Sequence, residues 1–87
     1  MAMYNLGLSA LKRLVLDENG YAYFRAKLSQ DLFKGEGEKE VFNLIDGHFQ
    51  KYKTLPDLST VLVAHPDFAE VEAPEVAKFY IDLLENR

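Results

Sequence analysis

Along most of the chain the apolar positions recur three and four residues apart, and no stretch alternates apolar and polar residues as a half-buried strand would. The spacing predicts a first helix over about Tyr4 to Leu16, with Leu11, Leu14 and Val15 on one side, Leu8 adjoining, and Lys12 and Arg13 turned away. Asp17 to Gly20 breaks it, Asn19-Gly20 being a turn signal. A second helix is expected over about Tyr21 to Gln30, with Tyr21, Phe24 and Leu28 as its stripe and Arg25 and Lys27 off it. Leu32 and Phe33 close a short connector, and Gly35-Glu36-Gly37 reads as a flexible, well-solvated turn.

The clearest helix runs from about Glu38 to Lys53. Val41, Phe42, Leu44, Ile45, Phe49 and Tyr52 form its apolar stripe; Lys39, Glu40, Asn43, Asp46, Gln50 and Lys53 occupy the other face. Acid near its start and lysine at its end suit the helix dipole, and Phe42, Ile45 and Phe49 are expected at the centre of the core. Pro56 then forces Leu55 out of helical geometry, and Asp57 is placed to cap a short helix through Ala64 that buries Leu58, Val61 and Leu62. Pro66 stops that helix. Ala73-Pro74-Glu75 reads as the start of a last one, with Val76, Phe79, Tyr80, Leu83 and Leu84 as its stripe against Lys78, Asp82 and Glu85. The expectation is an all-α, compact bundle of about five helices, in one domain over residues 1–87. The last helix has no glycine cap at Arg87, which reads either as a fraying end or, the favoured reading, as a piece of something longer.

Composition adds bounds. The chain is 48% hydrophobic and 13% aromatic, enough apolar surface to offset the entropy that keeps polar sequences disordered. It has no cysteine, hence no disulfide or thiolate metal site, and a reducing cytoplasm is the expected location. Met1-Ala2-Met3-Tyr4 has neither a basic region nor an apolar core as a signal peptide would, and no apolar run approaches the roughly 18 residues of a membrane span. The net charge of -4 is unevenly spread: acids outnumber bases after Pro56, through Asp67, Glu70, Glu72, Glu75, Asp82 and Glu85. That surface repels phosphate and suits a basic partner, or is simply solvated; both readings stay open.

Catalytic motifs are missing. Gly35-Glu36-Gly37-Glu38-Lys39 superficially resembles a phosphate-binding loop, but its two carboxylates repel phosphate and no strand leads into it. The acids around it, Glu36, Glu38 and Glu40, are expected to be exposed near a helix N-terminus. His48 and His65 lack a carboxylate or second histidine at metal-ligand spacing, and Ser9, Ser29 and Ser59 carry no nucleophile signature. Catalytic, cofactor and metal sites are therefore all assigned as none. A sequence-specific DNA-binding module needs a basic recognition helix, and no segment supplies one.

Leu11 to Leu16, Asp31-Leu32-Phe33, Glu40-Val41-Phe42-Asn43-Leu44-Ile45 and Tyr52-Lys53-Thr54-Leu55-Pro56-Asp57-Leu58, followed by Val61 and Leu62, together resemble the N-terminal domain of DnaB-type replicative helicases, closest in flavour to those of T-even-like phages. The resemblance spans about Leu8 to Leu84 and rests mainly on core and turn positions, which speak to fold more than to activity. It implies a non-catalytic collar domain that self-associates as a dimer or ring in the full-length protein and docks primase or a helicase loader. ATP and magnesium would belong to a separate C-terminal domain. The helicase-binding domain of a primase, or a free-standing phage replication adapter, is the alternative. Glu75, Lys78, Asp82 and Glu85 are the candidate protein contacts; Lys12, Arg13, Arg25, Lys27, Lys51 and Lys53 are candidates for weak guidance of single-stranded DNA.

Overall fold

The computed structural model describes residues 5–18 and 20–86. Tyr4, Asn19 and Arg87 lie outside them, as do the side chains of Tyr21 and Phe24, two of the three expected to form the second helix's stripe. In chain order the elements are α1 (Leu6–Leu16), α2 (Gly20–Ala26), a 3-10 helix (Gln30–Leu32), α3 (Gly35–Tyr52), α4 (Leu58–Ala64), a second 3-10 helix (Pro66–Glu70) and α5 (Ala77–Glu85). The fold is all-α. Among the described residues no helix is long and apolar enough to cross a membrane.

The hub of the bundle is α1, which packs on α2, α3, α4 and α5. Asn5 starts it: its backbone is extended and its side-chain oxygen accepts the Leu8 N–H at 3.0 Å, satisfying a donor that the helix itself cannot. Ala10, Leu11 and Leu14 are fully buried. Phe42, Ile45 and Phe49 of α3 are buried too, Phe42 stacked on Phe33 with ring centroids 4.7 Å apart and Phe49 tilted against Tyr23 at 5.0 Å. They belong to the same core cluster as the buried residues of α1, and Ile45 is as fully buried as Leu11 and Leu14.

Because α1 is packed on several sides, it has little polar face to give to solvent. Lys12 and Arg13, expected to face away, turn instead onto the extended segment leading from Glu70 to α5. The Lys12 ammonium donates to the carbonyls of Ala69 (3.0 Å) and Val71 (2.8 Å), and the Arg13 guanidinium donates to that of Ala73 (2.9 Å). Buried Ser9 donates its hydroxyl proton to the Glu72 carbonyl at 2.5 Å. One helix thereby satisfies three carbonyls of this segment, those of Val71, Glu72 and Ala73, and that of Ala69 in the 3-10 helix before it.

Several boundaries differ from expectation. α2 stops at Ala26, not Gln30, because Lys27 takes a left-handed φ of 51° that ends the helix. Gly35-Glu36-Gly37 is exposed, as expected, but is the first turn of α3 rather than a flexible turn before it. Gly35 sits at φ 76°, where the missing side chain lets the backbone swing from extended Lys34 into the helix. Glu38, expected to be exposed, is buried: its carboxylate accepts the Lys34 N–H at 3.0 Å and lies against Gly7, the bare spot on α1 that makes room for it. Tyr52, assigned to the apolar stripe, is 56% exposed, its ring tilted on His48 at 4.7 Å. Asp57 holds the cap position of α4, but its side chain makes no capping bond.

α5 begins at Ala77, three residues after Pro74. The Ala73 carbonyl is held by Arg13, the Glu75 N–H donates to the Tyr80 hydroxyl at 2.9 Å, and Val76 remains extended at ψ 154°. The buried face of α5 is consequently Ala77, Tyr80, Ile81 and Leu84; of the stripe expected from the sequence it keeps Tyr80 and Leu84 and leaves Val76, Phe79 and Leu83 outside.

Candidate docking surface

Residues 76–84, in α5 and its cap, carry seven apolar side chains over most of the helix circumference, and one bundle cannot cover them all. Ala77, Tyr80, Ile81 and Leu84, spaced i, i+3, i+4 and i+7, go inward. Val76, Phe79 and Leu83 have nearly the same spacing and are left outward, 67%, 45% and 41% exposed. At 1.5 Å per residue the outward stripe is roughly 10 Å long, two helical turns. Sequence reasoning placed these three residues in the core. The signal that separates the two arcs is Ile81, which completes an i, i+4 pair with Ala77 and belongs to no polar face.

The four candidate protein contacts lie on the same segment, with Lys78, Asp82 and Glu85 along one flank of the helix. Glu75, Lys78, Asp82 and Glu85 are all exposed. Lys78 and Asp82 pair along the helix at 2.8 Å, and that hydrogen bond, reinforced by the carboxylate charge, raises the Lys78 pKa above its ordinary value. Glu75 and Glu85 lie before the first and at the last residue of α5. Next to Val76 a hollow of about 220 Å³ is lined by Arg13, Asp17, Pro74 and Glu75, with Arg13 and Asp17 paired at 3.1 Å. The stripe is thus apolar, and most of the charge about it is negative.

The six basic candidates do not share one surface role. Lys12 and Arg13 are committed to the connector carbonyls and are structural pins. Arg25, Lys27, Lys51 and Lys53 are exposed. Lys27 borders a hollow of about 180 Å³ with Asp46 and Gln50 of α3, which brings the end of α2 beside the C-terminal half of α3. Lys51 lies 5.2 Å from the centre of the Tyr52 ring, and Lys53 takes a left-handed conformation at φ 61° as the cap of α3.

Other polar groups have structural employment. The Tyr23 hydroxyl donates to Asp46 at 2.7 Å; burial first, and then the Asp46 carboxylate, push its pKa well above the usual tyrosine range. His48 Nδ1 donates to the Thr54 carbonyl at 2.7 Å and ties down the turn after α3. A hollow of about 420 Å³ is bordered by Leu8, Val41, Pro66 and Phe68, with His65 and Asp67 among its polar lining. Among the described residues no three His, Cys, Asp or Glu side chains are grouped to hold a metal ion.

In comparison with known proteins, no family model matches the chain, and no curated protein and no solved structure is detectably similar to it.

Proposed function

We propose that this chain is a non-catalytic docking domain whose contact surface is the outer face of α5. The observation that carries the reading is the exposed stripe Val76, Phe79 and Leu83 on a helix whose opposite face is anchored in the core. Three large apolar groups aligned over two turns are too ordered a loss of burial to be the scattered exposure that any small domain shows, and such patches mark partner sites. Ser9, Lys12 and Arg13 support this by holding the segment that leads into α5, so the face is presented on a rigid base.

The narrower form of the proposal, that the domain is part of the N-terminal collar of a replicative DNA helicase and contacts primase or a loader there, rests on the sequence pattern from Leu11 to Leu62 described above. In that setting ATP hydrolysis belongs to a different domain, and the collar transmits partner binding to it. The direct test is association of the purified chain with a replicative primase and a helicase loader, followed by sedimentation. Binding that disappears in Phe79→Ser and Leu83→Ser variants is the expected result. Binding that survives both substitutions moves the contact away from α5. No binding to primase, loader or the other parts of a helicase removes the collar assignment.

A further inference from the structure

The partner of the α5 face can be described chemically. Resting on the docking reading above, we infer that the stripe Val76–Phe79–Leu83 receives a basic amphipathic helix from another protein, not a second copy of this chain.

Size comes first. The three side chains, each partly covered, offer on the order of 300 Å² of apolar surface, whereas a stable interface takes about 800 Å² from each partner. Two such stripes facing each other would make a weak dimer at best. A single helix laid along the stripe needs no more, since a helix-in-groove contact is anchored by residues at i, i+3 or i+4 and i+7. The stripe has that period itself, with Val76, Phe79 and Leu83 three and seven residues apart.

Charge decides between partners. Lys78 is neutralised by Asp82 at 2.8 Å, and Asp17 by Arg13 at 3.1 Å, which leaves Glu75, at the start of the stripe, without a basic side chain in an ion pair among the described residues. Glu72, in the segment just before, is also exposed. A second copy would bring the same carboxylates against these, at a cost from like-charge contact. A helix with lysine or arginine flanking its apolar anchors meets them with opposite charge, and so gains both rate and orientation. The contact is small and charge-assisted, hence weak and salt-sensitive.

The experiment uses the full chain, isotope-labelled, and two synthetic helical peptides with identical leucine anchors at i, i+3 and i+7. One has lysines flanking the anchors, the other glutamates. Backbone amide shifts are followed during titration, and sedimentation of the chain alone reports self-association. The lysine peptide is expected to perturb residues 76–85 saturably, to bind at least about tenfold more tightly than the glutamate peptide, and to weaken as the Debye length shrinks from about 10 Å to a few Å with added salt. Phe79→Ser is expected to remove binding while leaving the amide spectrum of the core unchanged. Equal binding of both peptides at residues 76–85 overturns the charge inference and leaves the docking reading intact. A dimer that forms without peptide and is lost in Phe79→Ser makes the occupant a second copy. If neither peptide nor self-association touches residues 76–85, the inference and the docking reading fall together.

Discussion

Phe79 and Tyr80 are adjacent in sequence and their rings meet edge to face with centroids 5.5 Å apart, yet Tyr80 is wholly buried while Phe79 is 45% exposed. The boundary between core and outer face runs between these two residues. Tyr80 fills the core and also uses its hydroxyl, which accepts the Glu75 N–H and fixes the turn into α5. Phe79 does neither.

That division gives opposite outcomes for neighbouring substitutions. Tyr80→Ala should cost about 3–5 kcal/mol, as large-to-small changes at buried aromatics do, and Phe42→Ala or Phe49→Ala should cost as much. Phe79→Ser and Leu83→Ser should cost much less, about 1 kcal/mol, since these side chains are 45% and 41% exposed before the change and face away from the core. Urea unfolding of the five variants against the parent measures this. A cost for Phe79→Ser equal to that of Tyr80→Ala would place Phe79 in the core.

How much the sequence disclosed depends on the range of the contacts. The inward faces of α1 and α3 were legible because Leu11, Leu14, Phe42, Ile45 and Phe49 are held by periodicity alone. The orientation of α5 was not, because its apolar arc is wider than one buried face and local spacing fits Val76–Phe79–Leu83 nearly as well as Ala77–Tyr80–Leu84. Lys12 and Arg13 were misplaced for a different reason. Their acceptors lie about 60 residues further along the chain, and no local pattern encodes them. Of the candidate site, the charged residues Glu75, Lys78, Asp82 and Glu85 are candidates from sequence that the fold leaves exposed, while the exposure of Val76, Phe79 and Leu83 needed the packed structure.

Tyr23 predicts an alkaline limit to stability. Burial and Asp46 raise its folded pKa far above the value near 10 that it has when unfolded. Below pH 10 both states hold the proton and the full contribution of the Tyr23–Asp46 contact is present. Above it the unfolded chain releases the proton and the folded chain does not, so stability declines by up to about 1.4 kcal/mol per pH unit from this group. Tyr23→Phe lacks the titration and should show a shallower decline between pH 10 and 11.5. Parallel slopes for the two proteins in that window would exclude Tyr23 as the cause.

Gly7 and Glu38 should be energetically coupled. A Cβ at Gly7 would overlap the Glu38 carboxylate and drive it from the Lys34 N–H that it caps. Alanine gains about 1 kcal/mol over glycine inside a helix, and losing a buried hydrogen bond to a charged group costs about 1–3 kcal/mol, so Gly7→Ala should be neutral to destabilising. In a Glu38→Ala background the overlap is gone and Gly7→Ala should stabilise. A double-mutant cycle by thermal unfolding reads the difference, and additive effects would mean that the two residues do not meet.

The lysines separate into two functional groups that one pair of measurements can tell apart. Lys12 donates to two carbonyls of the segment that positions α5, so Lys12→Met should cost about 1–3 kcal/mol in stability. Lys51 and Lys53 are exposed at the end of α3 and make no such bond, so reversing both to glutamate should leave stability within about 0.5 kcal/mol of the parent. Binding to a single-stranded oligonucleotide should respond the other way. Each phosphate contact contributes about -0.7 to the slope of log affinity against log salt, and a chain of net charge -4 offers few such contacts, so binding should be weak at low salt and negligible at physiological salt. The double reversal at Lys51 and Lys53 should abolish what binding there is, and Lys27→Glu alone, at the α2–α3 hollow, should weaken it. Lys12→Met should leave it unchanged, because the Lys12 ammonium is already occupied by Ala69 and Val71. Loss of oligonucleotide binding in Lys12→Met at a temperature where the variant remains folded would return Lys12 to the nucleic-acid surface and remove its assignment as a pin.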